Sequence, residues 1–402
     1  MYHFIFPTQD TWISSGSSKI DGTSFKNQNF GRDQILEIKK EFFNNSFDHQ
    51  TRALINFEGT EFTDLKNEIQ NQTIQNPKYY LKLFEANGNA EISKEYTLKS
   101  HYIFQSWDEG TGKFDDRPKN VNGCSWENRT NTIGNSATTW SFDSQSQVSF
   151  QDFHSYFSEA DSTFQAISSS DFLSGSDGNG GVYVYGGGFE ASQSFNLQSP
   201  DVTMDVTDIT NRWVEDGLRN YGFLVKFEET QETDSITTGH LKFFSKDTHT
   251  IFSPRIEVRW DDSVFSSHNL SEITMSGLAD NFLYMKGLRE SYKVGERVKF
   301  RIGARKRYIQ KTFTDSVQSV EDSIIPQGSG SYAIKDIATD EFIVPFDDSY
   351  TKLSCDEKGN YFIQWLDGFY PDRVYKILLK LKTNDGQEQI FDDDFEFIVK
   401  RS

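Results

Sequence analysis

Cysteine is nearly absent: Cys124 and Cys355 are the only two in 402 residues. Two distant cysteines give neither a disulfide framework nor a zinc cluster. No apolar run approaches the roughly 20 residues that a membrane span needs, so no membrane partner is expected. The opening Met1-Tyr-His-Phe-Ile-Phe-Pro7 lacks a basic start followed by an apolar stretch, so no signal peptide is read there. Sequons at Asn44, Asn71, Asn128 and Asn269 therefore carry little meaning. Positive charge is in deficit, with 41 Lys+Arg against 60 Asp+Glu and a net charge of −19. Such a surface repels phosphate, so no nucleic-acid partner is expected. These absences together describe a chain made and kept in a reducing cytoplasm until assembly.

What is abundant is aromatic. Phe, Trp and Tyr make up 15% of the chain, with 36 Phe, far from the composition of a disordered segment. The dominant periodicity is two. Gln34–Lys39, Arg52–Phe57, Tyr79–Phe84, Val182–Tyr185, Tyr221–Phe227, His240–Phe244 and Arg255–Trp260 read as short strands bounded by polar or Gly/Pro turns. One helix is expected over Val206–Val214, with Val206, Ile209, Trp213 and Val214 on one face, Thr207 or Asp208 as cap, and Asp216-Gly217 as stop. Many strands with one short helix predict an all-β fold: a jelly-roll β-sandwich over 1–262 followed by an immunoglobulin-like β-sandwich over 263–402. A low-complexity stretch near 140–181 reads as an insertion in the first domain. Beyond Asp261-Asp262 the strand pattern restarts in Tyr292–Ile302, Ser331–Asp336, Asn360–Trp365, Val374–Leu381 and Phe395–Val399.

Ordered pieces of the first domain resemble the DNRLRE-type β-sandwich modules, relatives of a carbohydrate-binding family. Gln9-Asp-Thr-Trp-Ile-Ser-Ser-Gly16 is similar to the opening strand, and Asn29-Phe-Gly31 to an N-Y-G turn. Thr51–Phe57 resembles an R-x-L-I-K-F-D strand, with Glu58 where the family favours Asp. Ser106–Gly112 and Cys124–Asn128 resemble paired Trp segments, Asp205–Lys226 a helix-then-strand hallmark, and Phe243–Trp260 the closing segment. The match spans roughly 6–262. Followed directly by an Ig-like domain, this arrangement resembles structural proteins of tailed bacteriophages, as do Val344–Ser354, Gly359–Phe362 and Gly368–Lys376. The resemblance implies a jelly-roll module on a particle, without saying where on the particle.

Catalytic constellations are missing from the sequence. Gly110-Thr-Gly-Lys113 is no P-loop, and the seven histidines show no H-E-x-x-H or close metal pair. His249 reads as a packed or turn residue. Asp108-Glu109 and Asp115-Asp116 near Trp107 and Trp126 superficially suggest a sugar cleft, but solvated loop acids read as well. No enzyme activity and no required cofactor are expected. Calcium is the metal that fits jelly-roll loops, with Asp10, Asp205 and Asp208 as candidate donors, though capping and turns explain the same residues. Period two places Lys299, Arg301, Arg305 and Arg307 on one strand face, a candidate stripe for docking an acidic neighbour. Asp392, Asp394 and Glu396 share a face of another strand, so the two stripes could equally pair inside the domain.

The leading expectation is a non-enzymatic structural protein of a tailed-phage virion (head decoration, neck or collar, tail or baseplate). Its partners would be other virion proteins and copies of itself in a ring or array. The alternative is a carbohydrate-binding or adhesin module recognising host surface glycans. There Trp107, Trp126, Tyr183 and Tyr185 would stack on sugar rings, although the same rings serve equally as core.

Overall fold

A computed structural model describes residues 1–87, 94–132, 134, 136–140, 180–184, 188–197, 199–308, 313 and 322–401. Residues 141–179 of the inserted stretch and Tyr185 lie outside these residues. The protein is mostly β. Two compact units appear, one of Ile5–Gln70 and Lys78–Glu257, the other of Met1–Phe4, Asn71–Pro77 and Val258–Ser402. The chain thus passes between units at Glu257/Val258, and two N-terminal pieces that the sequence assigns to the first domain group with the C-terminal unit.

In chain order the strands begin with β1 (Tyr2–Ile5), β2 (Gln9–Ser14), β3 (Ile35–Phe43), β4 (Ser46–Asn56), β5 (Lys78–Leu83), β6 (Glu95–Tyr102), β7 (Asn128–Thr130) and β8 (Thr138–Thr139). They continue with β9 (Glu190–Asn196), β10 (Val202–Asp205), β11 (Phe223–Phe227), β12 (Gly239–Phe244) and β13 (Arg255–Arg259). In the larger unit the main sheet runs β12-β3-β4-β11-β6-β9, with β2 also on β4, and a second sheet contains the run β13-β5-β10. One face of the main sheet is apolar: Trp12, Ala53, Ile55, Leu98, Tyr102, Phe223, Val225 and Phe227 are all buried. The hydrophobic effect on this face accounts for the period-two signal that the sequence carries.

The expected helix forms as Thr207–Val214, burying Ile209, Trp213 and Val214. Its cap differs from expectation: neither Thr207 nor Asp208 caps it, and the Thr207 amide instead donates to Asp205 Oδ1 at 3.0 Å. Two helices were not anticipated, Thr60–Gln70 and the short Glu229–Thr233. The expected strand at Val182–Tyr185 reduces, among described residues, to a bridge between Tyr183 and Ile103.

The C-terminal unit contains β14 (Asn281–Lys286), β15 (Ser291–Lys293), β16 (Arg297–Lys306), β17 (Gly330–Asp336) and β18 (Phe342–Val344). It ends with β19 (Ser354–Asp356), β20 (Gly359–Trp365), β21 (Arg373–Lys382) and β22 (Glu388–Lys400). Tyr292–Ile302, read as one strand, is two, because the chain turns at Gly295 with φ +85°. Four strands form one sheet, β14-β16-β20-β19, and five form another, β15-β22-β21-β17-β18. The sheets meet through aromatic rings: Tyr332 stacks on Phe362 at 3.9 Å and Phe300 meets Phe397 at a tilt at 5.4 Å between centroids, while Phe300 also stacks on Phe362 of its own sheet at 5.0 Å. Tyr2 and Phe4 belong here: Gln364 Nε2 donates to Tyr2 O at 2.8 Å, and the Phe4 ring meets Phe369.

Candidate functional site

In the larger unit the second face of the main sheet is charged yet buried. Arg52 on β4, Lys226 on β11 and His101 on β6 are at most 3% exposed. The helix Glu229–Thr233 lies over them and supplies the counter-charges. Arg52 donates from Nε to Glu232 Oε1 at 3.0 Å and from Nη2 to Oε2 at 2.7 Å, and Lys226 Nζ reaches Oε2 at 2.8 Å. His101 Nε2 lies 3.1 Å from Glu229 Oε1. Burial alone would raise Glu232, but the Arg52 and Lys226 charges outweigh it and hold the carboxyl below its ordinary value. Burial pushes His101 down, against the upward pull of Glu229 and Glu190. Every member of this cluster lies in ion-pair range of another, as in a buried polar network.

That network fixes the rings offered for glycan stacking. Trp126 lies over the Arg52 guanidinium at 4.8 Å, and Tyr183 covers both Arg52 and Lys226 at 5.6 and 5.4 Å. Trp107 donates from Nε1 to Tyr221 O at 2.9 Å. Trp107, Trp126 and Tyr183 are 4%, 8% and 1% exposed, so none presents a face to a sugar. The stacking role expected for these three gives way to packing. Tyr185 lies outside the described residues.

The calcium donors are likewise dispersed. Asp10 sits on β2, where its Oδ2 accepts the Lys246 amide at 2.6 Å, whereas Asp205 ends β10 in the other sheet and Asp208 opens the helix. Among the described residues no group of three His, Cys, Asp or Glu could hold a metal ion. Burial raises Asp10 to about 7 against the pull of the Lys246 amide and ammonium. Glu109 beside it is tied to Lys246 Nζ at 3.0 Å and to the Asp10 amide at 3.1 Å. Asp10 is 1% exposed, which removes it from any water-accessible acid pair. His249 stands in an exposed loop.

Sequence reasoning marked Asn29-Phe-Gly31 as a turn but missed what Asn29 does. Its Nδ2 donates to Glu109 O at 2.7 Å and Cys124 O at 2.8 Å, while Oδ1 accepts the Gly31 and Gly112 amides at 3.1 and 2.7 Å. One amide side chain, 0% exposed, therefore ties three loops together. Gly110, Gly112 and Gly123 make room for it: a Cβ on any of them would lie within 2.6 Å of Asn29 or of neighbouring backbone.

The surface feature of the C-terminal unit is the outward face of β14, β16 and β20. On β16, Val298, Phe300, Ile302 and Ala304 point into the core, leaving Lys299, Arg301 and Arg305 outward, as the alternation predicts. Arg307 lies just past the strand and is exposed. The flanking strands add what the sequence reading overlooked, an aromatic side chain beside nearly every cation. Arg305 lies over Phe282 at 4.5 Å, Lys286 over Tyr284 at 6.0 Å, Lys299 over Tyr361 at 3.6 Å and Arg297 over Trp365 at 5.5 Å. Gly303 leaves space for the Tyr284 ring, whose Cζ would stand 2.2 Å from a Cβ there. The alternating Asn281-Phe-Leu-Tyr-Met-Lys286 and Tyr361-Phe-Ile-Gln-Trp365 carried the signal. Asp356 holds Arg301 through two bonds of 2.9 and 2.8 Å and Lys299 through one of 3.2 Å. Those bonds, Arg301's first, keep Asp356 well below the usual carboxylate range. The basic and acidic stripes thus do not pair with each other. They lie on different sheets, and Lys376 takes Asp392 and Asp394.

No helix among the described residues is long and apolar enough to cross a membrane. No family model and no curated protein sequence matches the chain.

Proposed function

We propose that the protein is a non-enzymatic structural component of a tailed-phage virion that works through protein contacts. The observation that carries this reading is the outward face of β14, β16 and β20. Arg, Tyr, Trp and Phe are the residues that dominate the binding energy of protein interfaces, and here they cover one sheet while other charged side chains in the larger unit are spent on internal pairs. A glycan-binding role is less favoured because Trp107, Trp126 and Tyr183 are buried.

The strand order supports an immunoglobulin-like reading of the C-terminal unit. In chain order its nine strands would be A, A′, B, C, C′, D, E, F and G, and the two sheets then read A-B-E-D and A′-G-F-C-C′. Tyr375 opens the F position and donates from its hydroxyl to Tyr370 O at 3.0 Å, as the tyrosine corner of such domains does. The larger unit, with its two main sheets and ordered DNRLRE-like pieces, is read as the jelly roll. Quantitative mass spectrometry of purified particles from the source tests the virion assignment. A fixed copy number per particle is expected, and absence from particles overturns it.

A further inference from the structure

The cation–aromatic face and the acidic strand β22 belong to one sandwich, and their inward side chains meet in the same core, Phe300 against Phe397. Their outward side chains therefore point away from each other. On β22, Phe391, Phe397 and Val399 are buried, while Asp392, Asp393, Asp394 and Glu396 are exposed; Asp392 and Asp394 share the single cation of Lys376, which leaves the cluster net acidic. The three aspartates bulge opposite Leu378, where the register with β21 shifts between Ile377 and Leu379. Ile390, 49% exposed, adds an apolar contact beside them.

On the opposite face the cations are not all satisfied at home. Asp356 holds Lys299 and Arg301, and Asp322 holds Lys286 at 2.7 Å. Arg297 and Arg305 form no ion pair among the described residues and rest on aromatic rings instead, with one Arg305 donor, Nη1, spent on Lys306 O at 3.2 Å. A guanidinium stacked on a ring keeps its edge donors available for a carboxylate, the geometry in which Arg binds acids at interfaces.

We propose that the occupant of this face is a second copy of this chain, docking its β22 acidic bulge against Arg297 and Arg305. Opposite charges on opposite outer faces cannot meet within one sandwich, but they do meet between two copies related by translation or rotation. The contact is heterologous, one surface against a different one. Such contacts close into rings when the rotation allows and otherwise extend into filaments. Complementary charge sets register and suppresses wrong pairings. The inference rests on the structural-protein reading and names its partner.

Sedimentation velocity on the full-length chain tests it at low and high salt. Concentration-dependent association that weakens with salt is expected. A chain with R297E and R305E, and separately a chain with D392K and D393K, should each associate about tenfold less or worse, with thermal melts confirming that both remain folded. Mixing the two reversed chains should restore association, because each reversed face then meets a reversed partner and each native face a native one. A chain that stays monomeric at low salt, or reversals without effect on association, overturns the inference. So does failure of the mixture to reassociate. Saturable binding of a fluorescein-labelled single-stranded oligonucleotide that R297E and R305E abolish also overturns it, by assigning the face to nucleic acid. A monomeric chain still found at fixed copy number in particles defeats the inference alone, whereas absence from particles defeats the virion reading alone.

Discussion

Replacing Asn29 is the sharpest perturbation of the larger unit. The side chain makes two donor and two acceptor bonds to backbone groups of residues 31, 109, 112 and 124, all while wholly buried. A truncation to Ala leaves two carbonyls and two amides without partners in a site that admits little water. Each unsatisfied buried group costs about 1–3 kcal/mol, and neighbouring losses overlap, so Asn29→Ala should cost about 4–6 kcal/mol. Asn29→Asp is the informative companion. It retains an acceptor for Gly31 and Gly112 but turns a carboxylate oxygen toward the Glu109 and Cys124 carbonyls, so it should be no better tolerated than Ala despite its identical shape. Chemical denaturation followed by Trp fluorescence reads the loss, since five of the seven Trp residues lie in the larger unit while Trp260 and Trp365 report on the other. A loss below about 1 kcal/mol in Asn29→Ala, the level of an ordinary surface substitution, would refute the role given to this residue.

Asp10→Asn should change how stability depends on pH. Burial raises Asp10 from 3.8 to about 7, so the folded chain holds this proton more tightly than the unfolded one. The protonated state's advantage is complete below about 4 and is lost as pH rises through about 7, a difference of up to about 4 kcal/mol. The variant lacks that loss, so urea titrations at pH 4 and pH 7 should show it gaining on the native chain as pH rises; a constant difference counts against the assignment. In the buried network, Arg52→Met or Glu232→Gln alone should cost about 3–5 kcal/mol, while the double variant should cost less than the two singles combined. Additive losses in a double-mutant cycle would show that the two side chains do not act as a pair.

The sequence made one face of each strand legible and hid the other. Phe223 and Phe227 announce a strand because they fall on one face of a period-two run that carries Lys226 on the other. Lys226 and Arg52 read as outward for the same reason, yet a helix covers them. Nothing local reveals that cover, because Glu229–Thr233 contains no apolar residue and its role is electrostatic. The helix Thr60–Gln70 was missed since it buries only Phe62 and Leu65, too few for a periodic signal. The edge strand β9 buries only Phe195, which left it equally silent. On β16 the alternation was read correctly for the cations. The aromatic companions come from β14 and β20, and a lateral neighbour is invisible until register is known. Asn29 was noticed for its turn, while three of its four hydrogen-bond partners lie about 80 to 95 residues away.

Strand β3 of the larger unit finds one of its two neighbours only at β12, Lys40 opposite Gly239, and Asp10 waits for the amide of Lys246. A ribosome adding about 5–20 residues per second needs on the order of 10–40 s to bridge that interval. During synthesis, therefore, a nascent chain exposes an unpaired edge and a half-covered aromatic surface for far longer than the folding of a local hairpin takes. The topology sets a lower bound on the delay before the main sheet of any copy can close.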